Sequence, residues 1–293
     1  MDHTLKAAGI QQLSFFSPAK VNLFFRVLYK REDGFHEVAS LYQAINLCDR
    51  LQVALSDEDT FTCDDPSLPL DGTNLVSKAL SLFRKKTGDF SCFRIHLEKR
   101  IPKEAGVGGG SSNAATALWA FCHLLKKNIS IDILQTWGAE LGSDVPFFFS
   151  LGTAYGTSRG EILQEVKLPA PISFWIAKPK WGLSTAKVFS VHDSLSVSLR
   201  NTDPFLDLQG FLGGSDFFYN DLEEAAFLLS PSLKKVKEDL LDMGFHRVVL
   251  TGSGSAFFCL DSFGNINYTP KLADVEFFPV KTLQRKEGDW YNL

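Results

Sequence analysis

Four glycines fall within five positions, Gly106 to Gly110, followed by Ser111 and Ser112 and an alanine-rich run, Ala114 to Ala120. Ahead of them Phe93, Ile95 and Leu97 alternate with Arg94, His96 and Glu98, which is the pattern of a half-exposed strand. Behind them Ala114, Ala115, Ala117, Leu118, Phe121, Leu124 and Leu125 form one helical stripe, with Ser111 or Ser112 the expected N-cap. A strand that turns through bare backbone into a helix is either an anion cradle or a flexible loop before a packed helix. On the glycines alone the two readings are level. The serines favour the anion, because their hydroxyls add donors at the positive helix end. The loop is not a Walker loop, since GxxxxGK[ST] is absent, and Ser111 breaks the dinucleotide pattern GxGxxG.

The rest of the chain limits what that anion can be. A net charge of −4 argues against a general nucleic-acid or anionic-membrane binder. Five dispersed cysteines without a CxxC pair point to a reducing, cytoplasmic setting and to neither a disulfide framework nor a metal site. No signal-like segment follows Asp2 and His3, and no run reaches 18 apolar residues. The expected fold class is α+β in two domains, 1–165 and 166–293, with the proline-containing stretch 169–182 at the junction.

Val21, Leu23, Phe25 and Val27 should share one strand face, and Lys20, Asn22, Phe24 and Arg26 the other. Asp33-Gly34 then signals a hairpin, with Phe35 and His36 just past the turn. Helices are expected over 74–86, 131–141, 219–229 and 231–243, and strands over 247–250 and 256–260 flanking a second glycine turn, Thr251 to Ser255.

Three separated motifs carry a resemblance: SPAKVNLFFRV at 17–27, IPKEAGVGGGSSNAA at 101–115 and LTGSGSAFF at 250–258. Together they resemble the GHMP kinases. REDGFHEV, GSDVPFFF at 142–149 and NDLE at 220–223 narrow the likeness to the branch whose acceptor is a cytidine diphosphate ester of methylerythritol. The resemblance implies two domains with the active site in the cleft between them, and transfer of the ATP γ-phosphate to a 2-hydroxyl. Glu104 and Val107 depart from the usual loop, Phe35 stands where a tyrosine is usual, and nothing carries over beyond residue 260.

The resemblance makes Lys20 and Asp144 the catalytic pair; without it Asp144 reads as a helix cap and Lys20 as a solvated lysine. It assigns Gly106, Gly108, Gly109, Gly110, Ser111 and Ser112 to the ATP phosphates, with Mg²⁺ carried by ATP. Lys99 is a further phosphate or nucleotide contact. Asn74 and Leu75 match the adenine pocket, though they read equally well as a helix start. Asn22, Phe35, His36, Thr185 and Phe189 fall to the cytidine-bearing substrate, with core packing the alternative for the two phenylalanines in a chain holding 26. Two rivals were weighed: another GHMP enzyme, disfavoured by DGFH and SDVPFFF, and a non-catalytic RNA-contacting protein, disfavoured by the acidic charge.

Overall fold

The computed structural model describes residues 12–168, 170–195, 203–214, 218–261 and 270–291. The N-terminal residues read for a signal segment lie outside them. Two long strands, β1 (Gln12–Lys30) and β2 (His36–Ser56), form the expected antiparallel hairpin, with Lys30 opposite His36 across the Asp33-Gly34 turn. They centre a sheet in the order β3-β4-β2-β1-β8, using β3 (Thr60–Cys63), β4 (Cys92–Glu98) and β8 (Tyr219–Asn220). β5 (Thr153–Thr157) also pairs with β2, and with β6 (Ile162–Glu165). A second sheet, β11-β7-β10-β9, uses β7 (Ser173–Pro179), β9 (Phe245–Leu250), β10 (Phe257–Asp261) and β11 (Val275–Lys281).

Helices cover one face of the first sheet: α1 (Leu75–Thr87), α2 (Gly109–Leu124) and α3 (Ile131–Leu141). Each boundary has a local cause. The Asn74 side chain accepts from Val76 N, and α1 ends on left-handed Gly88; the Ser130 side chain accepts from Ile133 N at the start of α3. The second sheet carries α4 (Thr185–Ser194), α6 (Glu223–Leu229) and α7 (Pro231–Asp242) against Trp175, Val248 and Phe257, while α5 (Pro204–Leu212) adds Leu208 to the core between the sheets. That core joins Ala19, Val21, Phe24 and Leu41 of the first sheet to Phe174, Ile176 and Phe258 of the second.

Three expectations change. The face pattern of β1 breaks because Asn22 pairs with Tyr42 and Phe24 with Leu41, leaving Leu23 as the extra residue of a bulge. Phe25 and Val27 therefore join the face of Lys20 and Asn22, and Phe24 turns to the intersheet core beside Val21. Helix α2 starts at Gly109 on left-handed Gly108, so neither serine caps it and both lie in its first turn. The helix expected over 219–229 begins only at Glu223, because Tyr219–Asn220 form β8, and the stretch expected at the junction contains β7, which lies between β11 and β10.

The chain end returns to the first sheet. Leu283 N donates to Ala44 O, and Trp290 Nε1 donates to Phe16 O at 2.7 Å. Buried Arg285 donates to the carbonyls of Phe149, Ser150 and Asp289, with Trp290 and Tyr291 packed at its guanidinium. A division at 165/166 remains a proposal, with 283–291 belonging spatially to the first half. Replacing Arg285 with Met would take the guanidinium donors from Phe149 O and Asp289 O and leave Ser150 O only the Tyr291 hydroxyl. The variant should lose about 3 kcal/mol in urea unfolding, read at constant m-value.

Candidate active site

The glycine loop is locked where two other segments meet it. Lys20 N donates to Val107 O at 2.9 Å, joining the loop to β1, and Ala256 N donates to Ala105 O at 3.2 Å, joining it to the second glycine turn. Gly106 and Gly108 have φ of +73° and +71°. A Cβ on Gly106 would strike the Thr251 carbonyl, and one on Gly252 would come within 2.7 Å of Gly106 O. Both glycine runs exist because the two backbones pass this close. Glu104 shares the left-handed conformation at φ +51°, which is strained for a residue with a Cβ. The first-turn amides of α2 have no intrahelical partner, so the loop ends in a row of backbone donors.

Beside it lies a cavity of about 1030 Å³ lined by Gly106, Gly108, Gly109, Gly110 and Ser111, and by Lys20 and Asp144. Lys20 is almost fully buried, with Nζ 3.5 Å from Asp144 Oδ2 and 2.8 Å from Asn22 Oδ1. Tyr42 lies under the ammonium at 5.1 Å from its ring centroid. Burial lowers the Lys20 pKa, and Asp144 only partly offsets the shift. Asp144 sits between the end of α3 and the 3₁₀ turn Pro146–Phe149, and its side chain is about one-third exposed to the cavity side. Asn22 itself does not line the cavity; its amide donates to Ser40 Oγ at 2.7 Å, so it stands behind Lys20.

The remaining expected residues divide. Ser112 is fully buried, and its Oγ has no partner among the described residues. Lys99 lines the cavity but is ion-paired to buried Asp49, which also accepts from Arg100 N, Ile101 N and Asn113 Nδ2. Asn74 and Leu75 line the same cavity, with the Asn74 side chain engaged in capping α1 and in donating to Pro69 O. Phe35, His36, Thr185 and Phe189 line the same cavity. His36 and Phe189 stack on each other, and Arg159 covers Phe35 at 4.9 Å. A base stacking on either phenylalanine must use its opposite face. Thr185 Oγ1 pairs with Ser253 Oγ at 2.7 Å, tying α4 to the second glycine turn.

Sequence reasoning missed Asp49, Tyr42, Arg159 and Asp193. Asp49 left a usable signal, a lone carboxylate inside an otherwise buried strand run; the others are recognisable only by what they face.

A model of the GHMP kinases N terminal domain matches residues 74–152. The chain is 44% identical over 280 residues to 4-diphosphocytidyl-2-C-methyl-D-erythritol kinase of Protochlamydia amoebophila (strain UWE25), covering 96% of this chain and 93% of that one. A crystal structure of 4-(cytidine 5'-diphospho)-2C-methyl-D-erythritol kinase superposes with a TM-score of 0.76 at 31% identity, over 92% of this chain and 99% of that one. Homoserine kinase from Cytophaga hutchinsonii ATCC 33406 shares the fold, with a TM-score of 0.69 at 20% identity over 93% and 95% of the two chains.

The loop packing can be tested by contrast. Gly106→Ala should cost more than 3 kcal/mol, because the Cβ meets fixed backbone. Gly34→Ala, at φ +84° with nothing within 4 Å, should cost about 1 kcal/mol. Equal losses in denaturant titrations would mean that the crossing is not tight.

Proposed function

The chain belongs to the 4-diphosphocytidyl-2-C-methyl-D-erythritol kinases, a branch of the GHMP kinases, and from that premise we infer its reaction and the parts its residues play. It is an ATP-dependent kinase that phosphorylates the 2-hydroxyl of 4-diphosphocytidyl-2-C-methyl-D-erythritol, a step of non-mevalonate isoprenoid precursor biosynthesis. The observation that carries the assignment of roles is the Lys20–Asp144 pair facing the backbone donors of the glycine loop across one cavity.

In this reading the cavity is the cleft between the two domains. The triphosphate lies along Gly106–Ser111, where backbone N–H groups and the N-terminus of α2 stabilise its charge. Mg²⁺ carried by ATP would neutralise phosphate charge, and the cavity-lining Ser111 hydroxyl would be an oxygen donor available to it. Leu75 and the α1 start take the adenine side, and Phe35, His36, Thr185 and Phe189 the cytidine side.

Asp144 accepts the proton of the 2-hydroxyl as that oxygen bonds to the γ-phosphorus and the bond to the β-phosphate oxygen breaks, releasing ADP. Lys20, with its ammonium 3.5 Å from the Asp144 carboxylate, draws the hydroxyl oxygen toward the same point. Asn22, tied to Ser40, fixes the ammonium in place. All five cysteines are free thiols, in keeping with a reducing, cytoplasmic setting.

ADP release should depend on the cytidine ester and not on mevalonate, homoserine or galactose; turnover of those instead would overturn the reading. Asp144→Asn should lower kcat by roughly 10²–10⁴-fold with ATP affinity near wild type. Lys20→Ala should act similarly, and the double variant should lose less than the product, since the two act as a unit; full multiplicativity would show them independent.

A pH profile gives a separate check. Because burial lowers the Lys20 pKa, its ammonium is lost at lower pH than that of a free lysine. The alkaline limb of kcat/KM should therefore fall below the ordinary lysine value of 10.5. In Lys20→Arg, whose charge does not titrate, the residual activity should lack that limb. A limb at unchanged pH in the arginine variant would assign it to another group.

A further inference from the structure

The His36 ring is held on two sides. Its face lies on Phe189, with centroids 4.7 Å apart and planes 26° apart. Its Nε2 is 2.5 Å from Asp193 Oδ1, while Asp193 Oδ2 accepts from Lys30 Nζ at 2.6 Å. Phe189 and Asp193 are four residues apart on α4, so one helix face delivers both contacts. His36, Phe189, Asp193 and Lys30 all line the cavity.

Burial opposes ionisation of Asp193, but the bonds from Lys30 and His36 win and hold its carboxyl below the usual range. An ionised carboxylate only accepts hydrogen bonds, so the proton between it and His36 sits on Nε2. Lys30 already balances the carboxylate, and the nearest other ring, His192, has its own pKa lowered by burial. A neutral imidazole with its proton on Nε2 presents a lone pair at Nδ1.

We propose that Asp193 is a positioning residue for nucleobase selection: anchored by Lys30, it pins His36 in the Nε2–H form and makes Nδ1 an acceptor for an exocyclic amino group. The inference rests on the cytidine-ester reading above. Cytosine offers an amino donor at the position where uracil offers a carbonyl acceptor. A ring locked as acceptor therefore pairs with the first and faces the second lone pair to lone pair.

The test exploits Lys30. In Asp193→Asn the amide oxygen turns to Lys30, which has only donors, and leaves the NH₂ facing His36 Nε2. The ring then moves its proton to Nδ1 and becomes a donor. kcat/KM should be measured for the cytidine ester and its uridine analogue in wild type, Asp193→Asn and Asp193→Glu. The wild-type preference for cytidine should shrink at least about tenfold in the asparagine variant, through a loss on cytidine and a gain on uridine. It should survive in the glutamate variant, which still only accepts. Two-bond ¹H–¹⁵N spectra should show the Nε2–H form in wild type and the Nδ1–H form in Asp193→Asn, a change that simple destabilisation does not produce. Wild-type selectivity in a folded Asp193→Asn, or an Nδ1–H ring in wild type, would overturn the proposal while leaving the kinase reading intact. A wild type that turns over neither ester would overturn both.

Discussion

The rest of the site depends on a backbone crossing. Between Ala105 and Val107 the glycine loop touches β1 on one side and the turn between β9 and β10 on the other, at separations that admit no side chain at Gly106. Three stretches distant in sequence become one rigid frame. The backbone donors of the loop, the ammonium of Lys20 and the start of α2 are then fixed relative to one another before any ligand arrives. Donors fixed in this way would need little reorganisation around a charge that develops beside them.

The second constraint is the desolvation of Lys20. Burying an ammonium is costly unless it is paired, and here the compensation comes from Asn22, Asp144 and the face of Tyr42. Asn22 is in turn held by Ser40, whose hydroxyl donates to Phe24 O. The cation cannot drift without breaking that chain. The same economy appears at Asp49, which absorbs Lys99 and the backbone N–H groups of Arg100 and Ile101 just before the loop begins. Its burial sets the direction from which the loop leaves β4. The return of Arg285, Trp290 and Tyr291 does the corresponding work after Asp144, satisfying the carbonyls that end the 3₁₀ turn.

Most elements were legible because their signals are local. Asp33-Gly34 specifies its own hairpin, Ser130 and Gly142 bound their own helix, and alternation at 93–98 marks a strand whichever sheet receives it. The errors arose where a neighbour decides. A bulge at Leu23 exchanges the faces of Phe24 to Val27 in β1, and no residue type in LFFRV announces an unpaired position. The helix start moved from the serines to Gly108 because the loop packs against Lys20 and Phe148, leaving the chain to enter the helix from a left-handed residue. The helix expected over 219–229 lost its first turn because Tyr219 and Asn220 pair with Phe24 and Phe25 of β1.

By itself the sequence determined which residues are candidates to carry chemistry. A lysine two positions from an asparagine, an aspartate after a helix stop and a glycine-serine loop before an alanine helix are each tied to a backbone conformation that short-range sterics impose. Only the tertiary structure decided what those groups face. It placed Asp144 within 3.5 Å of Lys20, committed Lys99 to Asp49, and set Asp193 against His36 across 157 residues of chain. The reason is physical: propensity acts over a few residues, whereas hydrogen-bond and charge pairing in a low-dielectric interior depends on distances that only the packed core can set.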